Sequence, residues 1–245
     1  MALLFLVLIV VLIFCGLPLF AAIGITGIIQ FAISGIDPTV VIVEMYRVAS
    51  APTLLAIPLF TLAGYVLAES SAPRRLLNLA EALLGWIPGG VAIGSLVSCA
   101  LFTCFTGASG ITIIALGGLI LPILLKNNYS EKFALGLITS SGSLGLLFPP
   151  SLPLILYGVV ASVSIDQLFI AGLIPGILLI VLLSIYAVRN DVLKKSERIP
   201  FSWKNLGHAL KETAWELPIP VIILGGIYGG FITAVEASAV TAFYV

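Results

Sequence analysis

Long stretches of this sequence contain no charged residue, and this pattern restricts the fold more than any other feature. The stretches cover residues 1–36, 48–68, 82–125, 133–165, 167–188 and 217–235. A helix needs roughly 20 apolar residues to cross the hydrocarbon core of a bilayer. Hydrophobic residues make up 60% of the chain and charged residues only 9%. The sequence therefore predicts an all-α, polytopic membrane protein and excludes a soluble domain.

Basic residues are distributed unevenly over the segments that separate these runs. All the Lys and Arg residues except Arg47 can lie on one side of the membrane. Because cytoplasmic loops collect Lys and Arg, we expect the N-terminus to be cytoplasmic. The arrangement also requires the 82–125 run to return to the side that it left. The first run is too long for the apolar core of a signal peptide, so we expect it to be retained as a helix.

Two amphipathic segments lie between the spans. The segment from Ser70 to Pro88 is predicted to form a helix near the membrane surface, capped by Ser71 and with Pro73 in its first turn. Its apolar residues recur at helical spacing: Leu76, Leu79, Ala80 and Leu83. A second such helix is predicted after Ser202, within the charged loop 189–216. We expect both to be packed linkers and assign them no chemistry.

The middle of the 82–125 run is rich in hydroxyls and glycines, since residues 103–112 read TCFTGASGIT. A loop at the far surface would normally contain charged or turn-forming residues such as Asp, Asn or Pro, and this segment has none. Irregular backbone at membrane depth is tolerated only where protein or a water-filled cavity satisfies its polar groups. The run therefore predicts a re-entrant helical hairpin whose tip exposes carbonyls and hydroxyls.

The next run has a matching interruption, TSSGSLGLLFPPS, at residues 139–151. Two adjacent prolines cannot lie inside a continuous helix without freeing carbonyl groups, so we expect this transmembrane helix to break. Broken helices supply neutral carbonyl and hydroxyl oxygens that coordinate Na⁺ in many transporters. Small and hydroxyl residues also serve helix packing in membranes. Their occurrence in two consecutive segments favours an ion site over packing alone.

These motifs resemble the large membrane subunit of tripartite ATP-independent periplasmic transporters of the dicarboxylate and sialic acid type. The resemblance is most specific at residues 136–158, GLITSSGSLGLLFPPSLPLILYG, and continues at 107–112, 169–176 and 225–240. The chain departs from the family pattern at Ala108, where many members have a second serine. It departs again between Thr233 and Ala237, where many have Thr-Pro-Thr-Glu-Ala. Position 108 consequently offers no side-chain ligand.

The resemblance implies an elevator-type, ion-transporter-like fold of which this chain holds the first repeat. The implied function is sodium-coupled uptake of a small organic acid, with Na⁺ as coupling ion and with no enzymatic reaction, cofactor or nucleic acid. The implied partners are a small membrane subunit and a periplasmic binding protein, together with the lipids of the bacterial inner membrane. Carried over position by position, the Na⁺ half-site comprises Thr106, Gly107, Ser109, Ser140, Ser141, Gly142, Gly145 and Pro149.

The same interpretation divides the chain into four parts. Residues 1–88 are expected to form scaffold-type helices and an interfacial arm helix, and residues 89–165 the hairpin and broken helix of a transport domain. Residues 166–216 would form a transmembrane helix and a cytoplasmic amphipathic loop. Residues 217–245 would begin the second half. The sequence ends at Val245 inside an apolar run, so we expect a truncated polypeptide.

Two alternatives remain open. The segment Gly107 to Gly110 fits the G-x-S-G pattern of an intramembrane serine protease, which needs a general base beside the serine. The only histidine, His208, lies in the charged loop, which would then have to enter the membrane. A non-transporting structural subunit is the other alternative, but it gives no reason for two adjacent interruptions.

Glu236 is the one acidic residue deep enough in an apolar run to suggest ion coupling, because intramembrane carboxylates are costly and usually functional. The structural alternatives are a place at the edge of a span or a hydrogen bond to a neighbouring helix.

Overall fold

The fold was analysed in a computed structural model that describes residues 9–14, 16–107, 109–194 and 200–245. The described residues form helices joined by short turns and contain no strand, which confirms the predicted all-α class. They divide into two compact units, residues 1–51 and 52–245.

The first unit shows that the first charge-free run is not one continuous helix. Residues 9–14 are helical, residues 16–18 are not, and helix α1 spans Leu19–Ile33. Gly16 has a φ of +99°, which L-residues rarely adopt, and Pro18 lacks a backbone N–H. Both favour a break before α1. Helix α2 follows at Thr39–Ala49.

The second unit contains the remaining helices. They are α3 (Ala56–Glu69), α4 (Ala72–Leu84), α5 (Gly90–Thr106), α6 (Ser109–Lys126), α7 (Glu131–Leu144), α8 (Leu152–Ala161), α9 (Ile165–Lys194), α10 (Trp203–Glu212), α11 (Pro218–Tyr228) and α12 (Ala234–Tyr244). Short 3₁₀ helices precede α3 at Pro52–Leu55 and follow α7 at Gly145–Leu147. Fully buried side chains of this unit include Phe60, Phe102, Leu116, Ile120, Ile155, Phe169 and Ile223.

Apolar helices occur in every charge-free run. Within the described residues, three segments are long and apolar enough to cross a membrane: Pro52–Glu69, Ser109–Lys126 and Ile165–Asn190. Glu131–Leu147 and Leu152–Ala161 meet at 42° and form a fourth, broken span if they are counted together. Shorter apolar helices are Leu19–Ile33, Gly90–Cys104 and Pro218–Tyr228. These helices confirm a multi-pass membrane protein.

Helix α4 is the first of the two predicted amphipathic helices. It buries Leu76, Leu79 and Ala80 as predicted, whereas Leu83 is exposed. Ser71 does not cap it, because its ψ of 1° departs from the extended conformation usual for a capping residue. Instead, the Ser70 hydroxyl accepts a hydrogen bond from the Ala72 N–H at 3.0 Å. The predicted cap was therefore wrong by one residue.

Helix α10 is the second amphipathic helix, and it begins at the predicted cap. The Ser202 hydroxyl accepts from the Asn205 N–H at 3.5 Å. Leu206 and Ala209 pack with Leu79 of α4 in a small apolar cluster. The two amphipathic helices thus lie against each other.

Candidate functional site

Helices α5 and α6 form the two arms of the predicted hairpin. Helix α5 ends at Thr106, Gly107 follows with a φ of +62°, and α6 begins at Ser109. The positive φ favours glycine at this turn. Ala108 lies outside the described residues. The hydroxyl oxygens of Thr103 and Thr112, on opposite arms, are 2.9 Å apart, so the chain reverses at the turn.

The predicted break follows α7. The 3₁₀ helix Gly145–Leu147 leads into Phe148, whose ψ of 140° is extended, and then into two buried prolines before α8. The Ser151 hydroxyl donates to the Leu146 carbonyl oxygen and accepts from the Leu154 N–H. It thereby satisfies the Leu146 carbonyl oxygen near the break and also caps the start of α8. The interruption of this span is confirmed.

A network of buried hydroxyls joins both hairpin arms to α7. The Thr103 hydroxyl lies 2.7 Å from the Cys99 carbonyl oxygen, 2.9 Å from the Thr112 hydroxyl and 3.1 Å from the Gly142 carbonyl oxygen. The Thr112 hydroxyl in turn lies 3.1 Å from that of Thr106. A hydroxyl has one proton and two lone pairs, so these groups share donors along a chain of oxygens. The network fixes the hairpin against the broken helix.

Gly145 brings the break into direct contact with α5. A Cβ atom placed there would lie 2.4 Å from the Ala100 carbonyl oxygen and 2.8 Å from the Cys104 backbone nitrogen. Such distances are too short for real atoms, so only glycine fits without a shift of the backbone. The Cys104 thiol also donates to the Pro149 carbonyl oxygen at 3.4 Å. Two predicted site residues, Gly145 and Pro149, therefore contact the same hairpin arm.

The other two predicted glycines lie at the same contact between hairpin and broken helix. A Cβ on Gly107 would lie 2.4 Å from side-chain carbons of Leu152, at the start of α8. A Cβ on Gly142 would lie 2.6 Å from Cγ1 of Ile113 and 3.4 Å from the carbonyl oxygen of Ser109. The structure thus gathers Thr106, Gly107, Ser109, Gly142, Gly145 and Pro149 where the hairpin tip meets the break.

The two predicted serines of α7 point in different directions. Ser141 is buried, and its hydroxyl donates to the Ile138 carbonyl oxygen at 3.1 Å. Ser140 is exposed and donates to the Gly136 carbonyl oxygen at 2.7 Å. Each oxygen keeps lone pairs that could accept or ligate. Only Ser141 lies on the buried side of the helix.

Thr103 and Thr112 were missed as site residues, although both belong to the hydroxyl-rich segment. They stand at equal distances in sequence from the turn at 107–108. Residues placed symmetrically about a tight turn face each other across a hairpin. This symmetry could have identified the pair from the sequence.

The chemistry available at this contact is that of neutral oxygen ligands. Across the described part of the chain, no group of three or more His, Cys, Asp or Glu residues could hold a metal ion. Hydroxyl and carbonyl oxygens without net charge suit a monovalent hard cation such as Na⁺. Ligation by the predicted residues stays a prediction.

Glu236 stabilises the start of its own helix. Its carboxylate accepts from the Thr233 N–H at 2.7 Å and from the Thr233 hydroxyl at 3.0 Å. The Thr233 hydroxyl accepts from the Glu236 N–H at 3.3 Å, which completes a capping box at α12. These contacts lie within one helix end, so they match a structural role at the edge of a span and not the alternative of a hydrogen bond to a neighbouring helix.

His208 is exposed on α10, and its Nδ1 lies 3.4 Å from a carboxylate oxygen of Glu212. Among the described contacts there is no hydrogen bond between His208 and Ser109. The geometry therefore gives the serine no histidine base.

Replacing Thr103 with valine is expected to destabilise the hairpin contact. Valine keeps the shape of threonine but leaves the Thr112 hydroxyl and the Gly142 carbonyl without this partner. We expect the free energy of unfolding to fall by about 1–2 kcal/mol, measured by thermal melting in detergent. The matched control is Thr139→Val, since Thr139 is exposed and its hydroxyl donates to the Leu135 and Gly136 carbonyl oxygens of the same helix. Equal melting temperatures of the two variants would show that the hydroxyl network around Thr103 does not stabilise the hairpin contact.

Comparison with known proteins matches nearly the whole chain to one transporter family. Residues 6–245 match the family model described as the DctM component of the tripartite ATP-independent periplasmic transporter. The C4-dicarboxylate TRAP transporter large permease protein DctM of Vibrio cholerae is 41% identical over 195 residues, which cover 78% of this chain and 43% of that protein.

Two further relatives align over more of the chain. The ectoine TRAP transporter large permease protein TeaC of Halomonas elongata is 34% identical over 94% of this chain and 55% of its own length. The isethionate TRAP transporter permease protein DctMQ of Oleidesulfovibrio alaskensis is 35% identical over 94% of this chain and 36% of its own length. The chain thus spans about half, or less, of the length of these curated relatives.

Proposed function

This chain belongs to the DctM family of tripartite ATP-independent periplasmic transporters, and we propose that it serves sodium-coupled uptake of a small organic acid as part of a large membrane permease. Family membership confirms the predicted resemblance. The relatives are named as transporter permeases, so the protease alternative is set aside in favour of a transport protein.

The proposal depends most on the buried contact between the hairpin tip and the broken helix. Hydroxyls of Thr106, Ser109 and Ser141 and nearby backbone carbonyls would supply oxygens to Na⁺ at that contact. Because these oxygens come from α5, α6 and α7, a bound ion would stabilise the three helices as one element. An ion that binds one state of the transporter better than another shifts the equilibrium between them, and this differential affinity is what couples it to the substrate.

The proposed substrate is a small molecule with an acidic group. The relatives are named for C4-dicarboxylates, isethionate and ectoine, each of which carries a carboxylate or a sulfonate. The interrupted segments also create helix starts within apolar runs, at α6 and α8, and such starts attract anions. Which acid this protein carries would depend on the remaining parts of the transporter.

The proposed partners follow from the family description, which names a tripartite system. We propose a small membrane subunit and a periplasmic binding protein that delivers the substrate. The proposed location is the bacterial inner membrane with a cytoplasmic N-terminus, supported by the one-sided distribution of Lys and Arg.

Uptake by the complete transporter in liposomes tests the function. The permease is reconstituted with its small subunit and binding protein, and uptake of a labelled C4-dicarboxylate, isethionate or ectoine is compared under inward Na⁺ and K⁺ gradients. We expect uptake with Na⁺ only. Ser109→Ala and Ser141→Ala should each raise the Na⁺ concentration for half-maximal uptake by about tenfold, since one lost ligand costs about 1.4 kcal/mol.

Ser143→Ala is the matched control, because Ser143 is an exposed serine of the same broken segment. Uptake of any of these substrates that is indifferent to Na⁺ and unaffected by either variant would contradict the ion site. A folded complex that transports none of them under any gradient would favour the structural-subunit alternative.

A further inference from the structure

Glu216 has a buried carboxylate oxygen that lacks a hydrogen-bond partner. The residue lies between α10 and α11, and its side chain is only 9% exposed. Oε1 accepts a hydrogen bond from Nη1 of Arg75 at 2.7 Å, whereas Oε2 has no donor among the described residues. An unsatisfied buried carboxylate oxygen is costly. The geometry therefore calls for an N–H or O–H donor beyond those of the described residues.

An apolar cavity of about 280 Å³ adjoins this carboxylate. Its walls come from α4, α5 and the start of α11, and Glu216 is its one charged lining residue. The apolar walls include Leu76, Leu79, Leu83, Val97, Leu101 and Leu217. Leu83 and Leu101 are 44% and 42% exposed, so the cavity is reached from the outer surface of the helices. Its apolar lining suits a hydrocarbon chain.

A second cavity of about 280 Å³ shares Glu216 but has polar walls as well. Ser70, Arg75 and Trp215 line it. The Arg75 side chain is 40% exposed, and a guanidinium has five N–H donors, so it can bind an anion while it holds Glu216. Glu216 thus lies between a cavity that suits an apolar chain and a cavity that suits a headgroup with one positive and one negative charge.

The three tryptophans of the sequence are exposed and stand in the segments around α4 and α10. Trp86, Trp203 and Trp215 are 52%, 79% and 73% exposed. Phe201 joins the first two through edge-to-face contacts, with ring centroids 6.3 Å and 5.0 Å apart. Exposed tryptophans are typical of the boundary between lipid tails and headgroups. Trp215 lines the second cavity, so its exposure points to a place near the headgroups for that cavity.

We propose that this region is a binding site for a phospholipid whose headgroup carries a primary ammonium. The ammonium donates to Oε2 of Glu216, the phosphate faces Arg75, and one acyl chain occupies the apolar cavity. A trimethylammonium head lacks N–H donors, and a glycerol head lacks the positive charge. The site consequently selects phosphatidylethanolamine over phosphatidylcholine and phosphatidylglycerol with the same acyl chains.

Native mass spectrometry of the purified protein tests this selection. The protein is equilibrated with equimolar phosphatidylethanolamine, phosphatidylcholine and phosphatidylglycerol, and the retained lipid is counted. We expect about tenfold more phosphatidylethanolamine than phosphatidylcholine, the ratio that one charge-assisted hydrogen bond provides. Glu216→Gln should remove most of this preference. Glu212→Gln should keep it, since Glu212 is an exposed glutamate of the neighbouring helix.

A series of N-methylated phosphatidylethanolamines provides a test that needs no variant. Retention should fall as methyl groups replace the N–H donors. Equal retention of all heads by the unmodified protein would overturn the proposal, as would an unchanged preference in Glu216→Gln. Loss of the small membrane subunit from Glu216→Gln, with lipid retention unaltered, would also overturn it, because the donor would then come from a protein side chain.

Discussion

Replacing Gly145 with alanine is expected to lower the melting temperature of the purified protein by about 2–12 °C, because overpacking costs about 1–3 kcal/mol and each kcal/mol lowers the melting temperature of a chain of this size by about 2–4 °C. The backbone of Gly145 is in the ordinary right-handed region, so alanine meets no conformational obstacle. The only obstacle to alanine at this position is the lack of space. The added carbon would lie 2.3 Å from Cβ of Thr103 as well as close to the α5 backbone.

Relief of this clash requires α5 to move away from the break, which also separates Thr103 from the Gly142 carbonyl oxygen. The loss should therefore exceed that of Thr103→Val, which removes the hydroxyl alone. Sodium dependence of uptake should weaken in parallel, since the same movement opens the proposed ion site.

Gly136→Ala is the control, because a Cβ on this glycine of α7 would meet nothing within 4 Å. Alanine at an unhindered helical position is neutral or stabilises by about 0.5–1 kcal/mol. Melting of Gly145→Ala at the temperature of Gly136→Ala would show that α5 does not approach the break as closely as the structure indicates.

The hairpin and the break could be predicted because each depends on local chemistry. The length of a charge-free run limits how a chain crosses a bilayer, and Pro149 and Pro150 remove backbone donors wherever they stand. The interruption at residues 16–18 was equally local, with Pro18 visible in the sequence. Charge spacing does not report it, since a run without charges contains no signal for where a helix stops.

The orientation of individual side chains could not be predicted from composition. Successive residues of an α-helix point about 100° apart, so two neighbouring serines need not both face the hairpin. A run of hydroxyl residues marks the segment but does not say which of them lies on the buried face. The packing of α7 against α5 and α6 decides this, and it buries Ser141 and exposes Ser140.

Contacts between segments far apart in the sequence also could not be predicted from local patterns. Arg75 and Glu216 are separated by 141 positions, and each stands in a segment interpreted as a linker. An amphipathic pattern predicts that one face of such a helix packs, but it does not identify the partner. The ion pair shows that the linker after α10 is tied to α4.

Replacing Arg75 with methionine is expected to destabilise the protein by about 2–3 kcal/mol, because it leaves the Glu216 carboxylate buried without its cation. The figure lies below that for a fully buried pair, since the Arg75 side chain is 40% exposed. Thermal melting in detergent measures the change. Arg74→Met is the matched control, because Arg74 is the exposed neighbour on the same helix, and it should change stability by less than about 0.5 kcal/mol.

A double variant separates the buried charge from the packing of the arginine stem, which itself covers apolar surface. If the unpaired carboxylate causes the loss, Arg75→Met combined with Glu216→Gln should recover most of the stability, since no charge then remains in the buried position. If lost packing causes it, the second substitution should recover nothing. If Arg75→Met melts at the same temperature as Arg74→Met, the ion pair between Arg75 and Glu216 does not hold α4 to the start of α11.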